Sequence, residues 1–273
     1  MLQKLLALLG AALISFVAHA QSFDHTHAAF TALLKKHVVL VDGGKASKVK
    51  YAELKKDQPQ LKAYLDSLSA VSETDFNGWS KAQRMAFLIN AYNGFTLELI
   101  LQNHPVKSIK DIGNDLFSNR WKKKFFKLFG QESFLDRIEH ETLRKPGAYN
   151  DPRVHYAVNC ASIGCPALRE EAFTAEKLDR QLEEQAVRFL SDRSRNRYAN
   201  GKLEVSKIFD WFKVDWESGY TGFDGKTPPI KSREEYFARY AKLLADSPAD
   251  QQAIAAGKAP IAHLDYDWSL NGN

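Results

Sequence analysis

Residues 80–103, with the sequence SKAQRMAFLINAYNGFTLELILQN, carry the strongest structural signal in the chain. Ser80 followed three residues later by Gln83 is the pattern of a helix capping box. The predicted helix stops before His104 and Pro105, because the residue that precedes a proline disfavours the helical conformation. Apolar side chains occupy most of the circumference of this helix, which predicts a buried, central position.

Segments on both sides of this helix predict further helices and several short strands. Helices are expected at 25–37, 60–71, 135–144, 174–190, around 208–212, 232–245 and 249–256, and strands at 38–41, 49–54, 202–205 and 264–270, with a hairpin within 121–135. Residues 151–160 are predicted to be helical, with a buried strand as the alternative. Strands and helices do not alternate, so we predict an α+β fold, a helix-rich single domain around a small antiparallel sheet.

The strand expected at 264–270 is inferred from a strict alternation of apolar and polar side chains. Leu264, Tyr266, Trp268 and Leu270 alternate with Asp265, Asp267 and Ser269. Successive side chains of a strand point to opposite faces of its sheet. The alternation therefore predicts a half-buried antiparallel strand.

The first twenty residues predict a secretory signal peptide. Lys4 is followed by an apolar run from Leu5 to Val17 and by the small-residue ending Ala18-His19-Ala20. The run is shorter than the roughly 20 residues that a membrane-spanning helix needs. We therefore expect cleavage after Ala20, a periplasmic or secreted protein, and one globular domain over 21–273 with no transmembrane segment.

Composition and charge are ordinary for a globular protein, with 44% hydrophobic residues, 26% charged residues and a formal net charge of +5. The densest basic cluster is Arg120-Trp121-Lys122-Lys123-Lys124. Such a cluster is typical of a solvated strand edge, and we expect no nucleic-acid partner. The chain has no Gly-rich phosphate loop, no His-Glu-x-x-His and no Gly-x-Ser-x-Gly, so we expect no cofactor.

Both cysteines of the chain lie in DPRVHYAVNCASIGCP at 151–166, which leaves three interpretations open. An even cysteine count in an exported protein favours a Cys160–Cys165 disulfide. A zinc site would combine these cysteines with His140 and His155, but the cysteine spacing is loose and we expect no metal.

The third interpretation makes Cys160 a nucleophile. A thiolate needs a neighbouring imidazole or a helix N-terminus to lower its pKa. His140 and His155 are the candidate bases, and Glu139, Asp265 or Asp267 would orient the histidine.

Two amides on the central helix are a further candidate site. Asn90 and Asn93 lie three residues apart with Tyr92 between them. Buried amides need hydrogen-bond partners. They either bond neighbouring backbone, or line a site where, with Tyr92, they contact a ligand and stabilise an oxyanion.

Several segments together resemble the family named domain of unknown function 547. The matching pieces are AFLINAYNGFTLELI at 86–100, SFLDRIEHETLR at 133–144, DPRVHYAVNCASIGCPAL at 151–168, KLEVSKIFDWFKVDW at 202–216 and IAHLDYDWSLN at 261–271. The resemblance spans about 75–271, with a family-like core at about 75–230, and is to full-length periplasmic members. The resemblance implies that the functional positions are Asn90, Tyr92, Asn93, Glu139, His140, His155, Cys160 and Cys165. By analogy, it also implies a papain- or transglutaminase-like fold.

The leading hypothesis is a thiol-dependent hydrolase or transferase acting on a peptide or amide bond. In it Cys160 attacks, His140 or His155 acts as general base, and Glu139 or Asp265 orients the base. The alternative is a non-catalytic periplasmic binding or accessory protein with a Cys160–Cys165 disulfide and a small-molecule or peptide ligand. A bonded cysteine pair favours the second hypothesis.

Overall fold

A computed structural model describes residues 23–113, 119–223 and 225–272. The predicted signal peptide at 1–20 lies outside the described residues. Within the described ranges, every helix is too short or too polar to cross a membrane.

The described chain combines twelve α-helices with seven short strands. The helices are α1 (Ala28–His37), α2 (Tyr51–Leu54), α3 (Gln58–Ser69), α4 (Glu73–Gly78), α5 (Lys81–Asn103), α6 (Val154–Ala157), α7 (Leu178–Leu190), α8 (Ile208–Trp211), α9 (Lys213–Glu217), α10 (Arg233–Arg239), α11 (Ala241–Leu244) and α12 (Pro248–Ala255). The strands are β1 (Val38–Val41), β2 (Ala46–Val49), β3 (Phe126–Leu128), β4 (Gln131–Ser133), β5 (Arg197–Ala199), β6 (Lys202–Ser206) and β7 (Ile261–Leu264). Single 3-10 turns lie at Asp42–Gly44, Lys55–Asp57, Ile109–Asp111 and Arg120–Lys122, and a π-helix spans Arg137–Leu143.

Helix α5 is the central element, as its sequence predicts. Both hydrogen bonds of its capping box are present. The backbone N–H of Gln83 donates to Ser80 Oγ at 3.2 Å, and the backbone N–H of Ser80 donates to Gln83 Oε1 at 2.9 Å. Every residue from 85 to 97 is buried. A helix that is apolar around its whole circumference must be enclosed on all sides, and here α1, α3 and the π-helix pack around it.

The α+β class is confirmed, but the strands form three small sheets instead of one. β1 pairs with β2, β3 pairs with β4, and the third sheet has the order β5-β6-β7. All pairings are antiparallel except that of β6 with β7, which is parallel.

Four elements differ from the sequence predictions. The strand that pairs with β1 ends at Val49, and the predicted strand residues after it form α2. The segment 135–144 contains a π-helix instead of a regular α-helix. Within 151–160, only the four residues of α6 are helical.

The fourth difference is at the end of the chain, where the predicted strand at 264–270 starts and finishes earlier, as β7. Residues 265–270 do show the predicted burial, since Tyr266, Trp268 and Leu270 are partly buried and the residues between them are exposed. The alternation reflects a segment with one face against the protein, and it carries no information on the direction of the neighbouring strand.

Two apolar clusters meet at α6. Val154 and Ala157 belong to the cluster around α5, whereas Tyr156 belongs to a second cluster with Phe209 and Trp216. The junction of the two clusters brings residues that are distant in sequence to one cavity.

Candidate functional site

An open cavity of about 250 Å³ lies beside α6. Its aromatic wall consists of Tyr92, Trp121, Trp211, Phe212, Tyr266 and Trp268. The ionisable side chains that line it are Asp136, Glu139, His140 and His155. Cys160 and Cys165 complete the wall.

The cavity brings together six of the residues selected from sequence: Tyr92, Glu139, His140, His155, Cys160 and Cys165. Three others lie elsewhere. Asn90 and Asn93 are buried within α5, and Asp265 is exposed.

The amides of Asn90 and Asn93 hold backbone segments together. Asn90 Nδ2 donates to the Phe173 carbonyl at 2.7 Å and its Oδ1 accepts from the Phe173 amide N at 2.9 Å. Asn93 bonds the Ala157 carbonyl at 2.9 Å and the Asn159 amide N at 2.8 Å. These hydrogen bonds fix the segments after α6 to the central helix. Of the two roles expected for the amides, both therefore have the one of bonding backbone.

Cys160 and Cys165 are joined in a disulfide. Because the chain contains two cysteines, neither is a free thiol in this state. In the described part of the chain, no group of three or more His, Cys, Asp or Glu side chains is arranged to hold a metal ion.

Hydroxyl groups surround the two sulfurs. Tyr266 Oη lies 3.2 Å from Cys160 Sγ and 3.1 Å from Cys165 Sγ. Ser162 Oγ lies 3.1 Å from Cys160 Sγ and 2.9 Å from Tyr266 Oη. The backbone N–H of Cys160 donates to Cys165 Sγ at 3.0 Å.

Tyr266 reaches the disulfide because the segment at 265–271, here called the C-terminal strap, bonds to the loop between the cysteines. The Ile163 amide N donates to the Ser269 carbonyl at 2.8 Å, and the Gly164 amide N donates to the Asp267 carbonyl at 2.8 Å. The Asn271 amide N donates back to the Ala161 carbonyl at 3.1 Å. The strap therefore runs antiparallel to the disulfide loop and carries two aromatic residues of the cavity.

His155 is held in a fixed orientation at the base of the cavity. Its Nε2 lies 2.7 Å from Asp215 Oδ2. Its ring stacks on Phe212 with a centroid distance of 4.3 Å and on Trp216 with one of 5.1 Å. Burial lowers the pKa of His155, although the hydrogen bond that Asp215 accepts from the ring opposes this shift. Burial therefore disfavours the protonated imidazole, whereas the neighbouring Asp215 favours it.

Arg144 links the two histidines through Asp215. Its Nε donates to Asp215 Oδ2 at 2.6 Å, and its Nη1 donates to His140 Nδ1 at 2.6 Å. Burial and the Arg144 charge lower the pKa of His140. Burial alone would raise the pKa of Asp215, but the bonds from His155 and Arg144 outweigh it and lower that pKa.

Two carboxyl groups of the cavity have the opposite shift. Glu139 is buried, and burial raises its pKa despite the opposing effects of His155 and Tyr92. Burial also raises the pKa of Asp136, against the effect of His140. Burial is the main cause of both shifts, and it disfavours the charged form of each carboxyl group.

Residues 76–190 match the model of a protein family described as "Protein of unknown function, DUF547". The match includes Tyr92 and the segment from Asp136 to Cys165, so it supports the resemblance drawn from the sequence motifs. No curated protein and no solved structure matches the chain. A papain- or transglutaminase-like fold stays a prediction, and Cys160 follows the end of α6 instead of starting a helix.

The DUF547 match ends at residue 190 and therefore leaves out part of the cavity wall. Asp215, Phe212 and Trp216, which hold His155, lie after its end, as does the C-terminal strap. Sequence analysis did not select Asp215 or Arg144. Both residues do lie in segments that resemble the family, Asp215 in 202–216 and Arg144 in 133–144.

Proposed function

We propose that this cavity binds a small organic cation with a flat apolar body, either a free amine or an amine-bearing side chain of a peptide. The observation that carries the proposal is the composition of the wall. Six aromatic residues and two carboxyl groups line the cavity, and the described lining includes no Lys or Arg.

The two carboxyl groups of the wall favour a positive ligand. Three of its rings already carry a cation of the chain: Lys110 lies over Trp268, Arg120 over Trp121 and Arg144 over Phe212. A cation over the face of an aromatic ring gains about 0.5–2 kcal/mol, more when it is desolvated. Glu139 and Asp136 have raised pKa values because burial disfavours their charged forms. A bound cation would stabilise the charged forms of both carboxyl groups and lower both pKa values.

The disulfide supports binding over thiol catalysis. Both thiols are occupied in the oxidised state, so no sulfur nucleophile is available there. This fits a periplasmic or secreted protein, a location that we propose from the signal-peptide pattern at 1–20.

A second candidate function is a thiol-dependent hydrolase or transferase acting on an amide bond in the reduced state. The observation that favours it is that Cys160 and His155, oriented by Asp215, line the same cavity. Cys160 would attack and His155 would accept its proton. Activity that requires both reductant and Cys160 would support this candidate.

The binding proposal is tested with 2-phenylethylamine and its neutral analogue 2-phenylethanol. At a hundred times Kd, a ligand stabilises the folded state by about 2.7 kcal/mol, which for this chain length is roughly 5–10 °C in Tm. We expect the amine to raise Tm and the alcohol to have a much smaller effect. Trp211→Ala should weaken amine binding by about tenfold, since it removes one aromatic face.

Val214→Ala is the matched control, because Val214 is 61% exposed on α9 and does not line the cavity. It should bind the amine as the wild type does. Equal binding of amine and alcohol would contradict the cation preference. Equal loss in both variants would place binding outside this cavity.

A further inference from the structure

We infer that the Cys160–Cys165 disulfide undergoes thiol–disulfide exchange with a small thiol that enters the cavity, and that the thiol attacks Cys160. This activity goes beyond ligand binding and does not depend on it. The two sulfurs differ in their access to the cavity and in their backbone hydrogen-bond donors.

Access to the two cysteines differs. Both line the cavity, but Cys160 is partly exposed, whereas Cys165 is 6% exposed. A thiolate must approach the sulfur that it attacks, so access favours attack at Cys160.

The hydrogen-bond donors favour Cys165 as the leaving group. The backbone N–H of Cys160 points at Cys165 Sγ at 3.0 Å, and this donor has no equivalent at Cys160 Sγ. Tyr266 Oη and Ser162 Oγ lie 3.1 and 3.4 Å from the same sulfur. Both hydroxyls are as close to Cys160 Sγ, at 3.2 and 3.1 Å, so the backbone N–H is the donor that distinguishes the two sulfurs. A disulfide sulfur is a weak acceptor and a thiolate is a strong one, so these donors stabilise Cys165 mainly after the bond has broken.

The exchange consumes two equivalents of the small thiol and needs no other reagent. The thiol loses its proton to solvent, and its thiolate forms a bond to Cys160 Sγ. The Cys160–Cys165 bond breaks, and its electron pair leaves on Cys165 as a thiolate. A second thiolate then attacks the external sulfur of the mixed disulfide, which releases the oxidised thiol and leaves two reduced cysteines.

The charge of the cavity wall should determine which thiol reacts fastest. This expected preference rests on the proposed function, the binding of a cation. Asp136 and Glu139 should favour a cationic thiol over a neutral one, and disfavour an anionic one. The expected order is cysteamine, then 2-mercaptoethanol, then 2-mercaptoethanesulfonate. Each rate is divided by the rate of the same thiol with bis(2-hydroxyethyl) disulfide, which removes differences in intrinsic reactivity.

The position of attack is measured on the native oxidised protein with 2-mercaptoethanol, followed by rapid alkylation with iodoacetamide and peptide mapping. We expect the mercaptoethanol adduct on Cys160 and the alkyl group on Cys165. Tyr266→Phe keeps the ring but removes the hydroxyl donor, and should slow the exchange by about tenfold. Tyr198→Phe, on β5 and outside the cavity, should leave the rate unchanged.

Three results would overturn the inference: an adduct on Cys165, an equal mixture on both sulfurs, or exchange only after denaturation. Equal rates in Tyr266→Phe and the wild type would contradict the stabilisation of the leaving thiolate by the Tyr266 hydroxyl. Exchange at Cys160 with no charge preference would contradict the cationic ligand class alone. Amine binding without exchange would contradict the exchange alone.

Discussion

At the scale of single residues, Gly164 determines how closely Tyr266 lies to the disulfide loop. A Cβ atom at this position would lie 2.9 Å from three carbons of the Tyr266 ring. The ring also packs against Trp211 and Trp268, with centroid distances of 5.0 and 4.6 Å. The ring therefore has little space in which to move away from a larger residue.

We expect Gly164→Ala to destabilise the protein by about 1–3 kcal/mol, the usual cost of overpacking. Gly78→Ala is the control, since a Cβ there meets no atom within 4 Å and the backbone φ needs no glycine. Chemical denaturation of both variants measures the difference. A Gly164→Ala protein as stable as Gly78→Ala would mean that the strap shifts freely.

Individual site residues could be selected from sequence where their chemistry is unusual. Cys160, His155 and Glu139 lie in short motifs rich in reactive side chains, and all three line the cavity. Asp215 was missed because it lies 60 residues from the imidazole that it bonds. An aspartate in a surface helix has no feature in the sequence that distinguishes it from a solvated charge.

At the scale of elements, α5 depends on its N-terminal capping box. Ser80→Ala removes the side-chain acceptor for the Gln83 amide N, and should cost about 1 kcal/mol of folding free energy. Ser69→Ala, at the last residue of α3, removes a hydroxyl without a capping role. Urea denaturation should therefore show a lower midpoint for Ser80→Ala alone, and equal midpoints would contradict the role of the cap.

The elements that were predicted correctly have strong local signals. α5 has a cap, an apolar run and a proline stop, and the β3–β4 hairpin has a Phe129-Gly130 turn in which both residues have positive φ. The direction of β7 could not be predicted, because the parallel register with β6 joins Leu203 to Ile261. Pairing over that distance depends on the packing of all the elements between the strands.

At the scale of the whole molecule, stability should depend on pH through Asp215. Its folded-state pKa is lowered by His155 and Arg144 against the effect of burial. Its contribution is therefore complete above the unfolded value of about 3.9 and is lost as the pH falls through the folded value. Asp215→Asn should lose about 2 kcal/mol at pH 7.

The same variant should lose less stability than the wild type on acidification below about pH 4. Asp66→Asn is the control, since Asp66 forms an exposed ion pair with Lys62 on α3. Thermal unfolding from pH 7 to pH 2 measures both effects. Parallel curves for Asp215→Asn and the wild type would contradict the coupling.

The C-terminal strap has a consequence for the order of events during synthesis. Tyr266 lies 101 residues after Cys165, whose sulfur it contacts. A growing chain exposes both cysteines long before the strap emerges, and contacts this distant in sequence form late because loop closure must come first. During that interval the thiols are open to other chains and to oxidants. The two sulfurs thus acquire the hydroxyl of Tyr266 as a neighbour only when the final segment has folded against the disulfide loop.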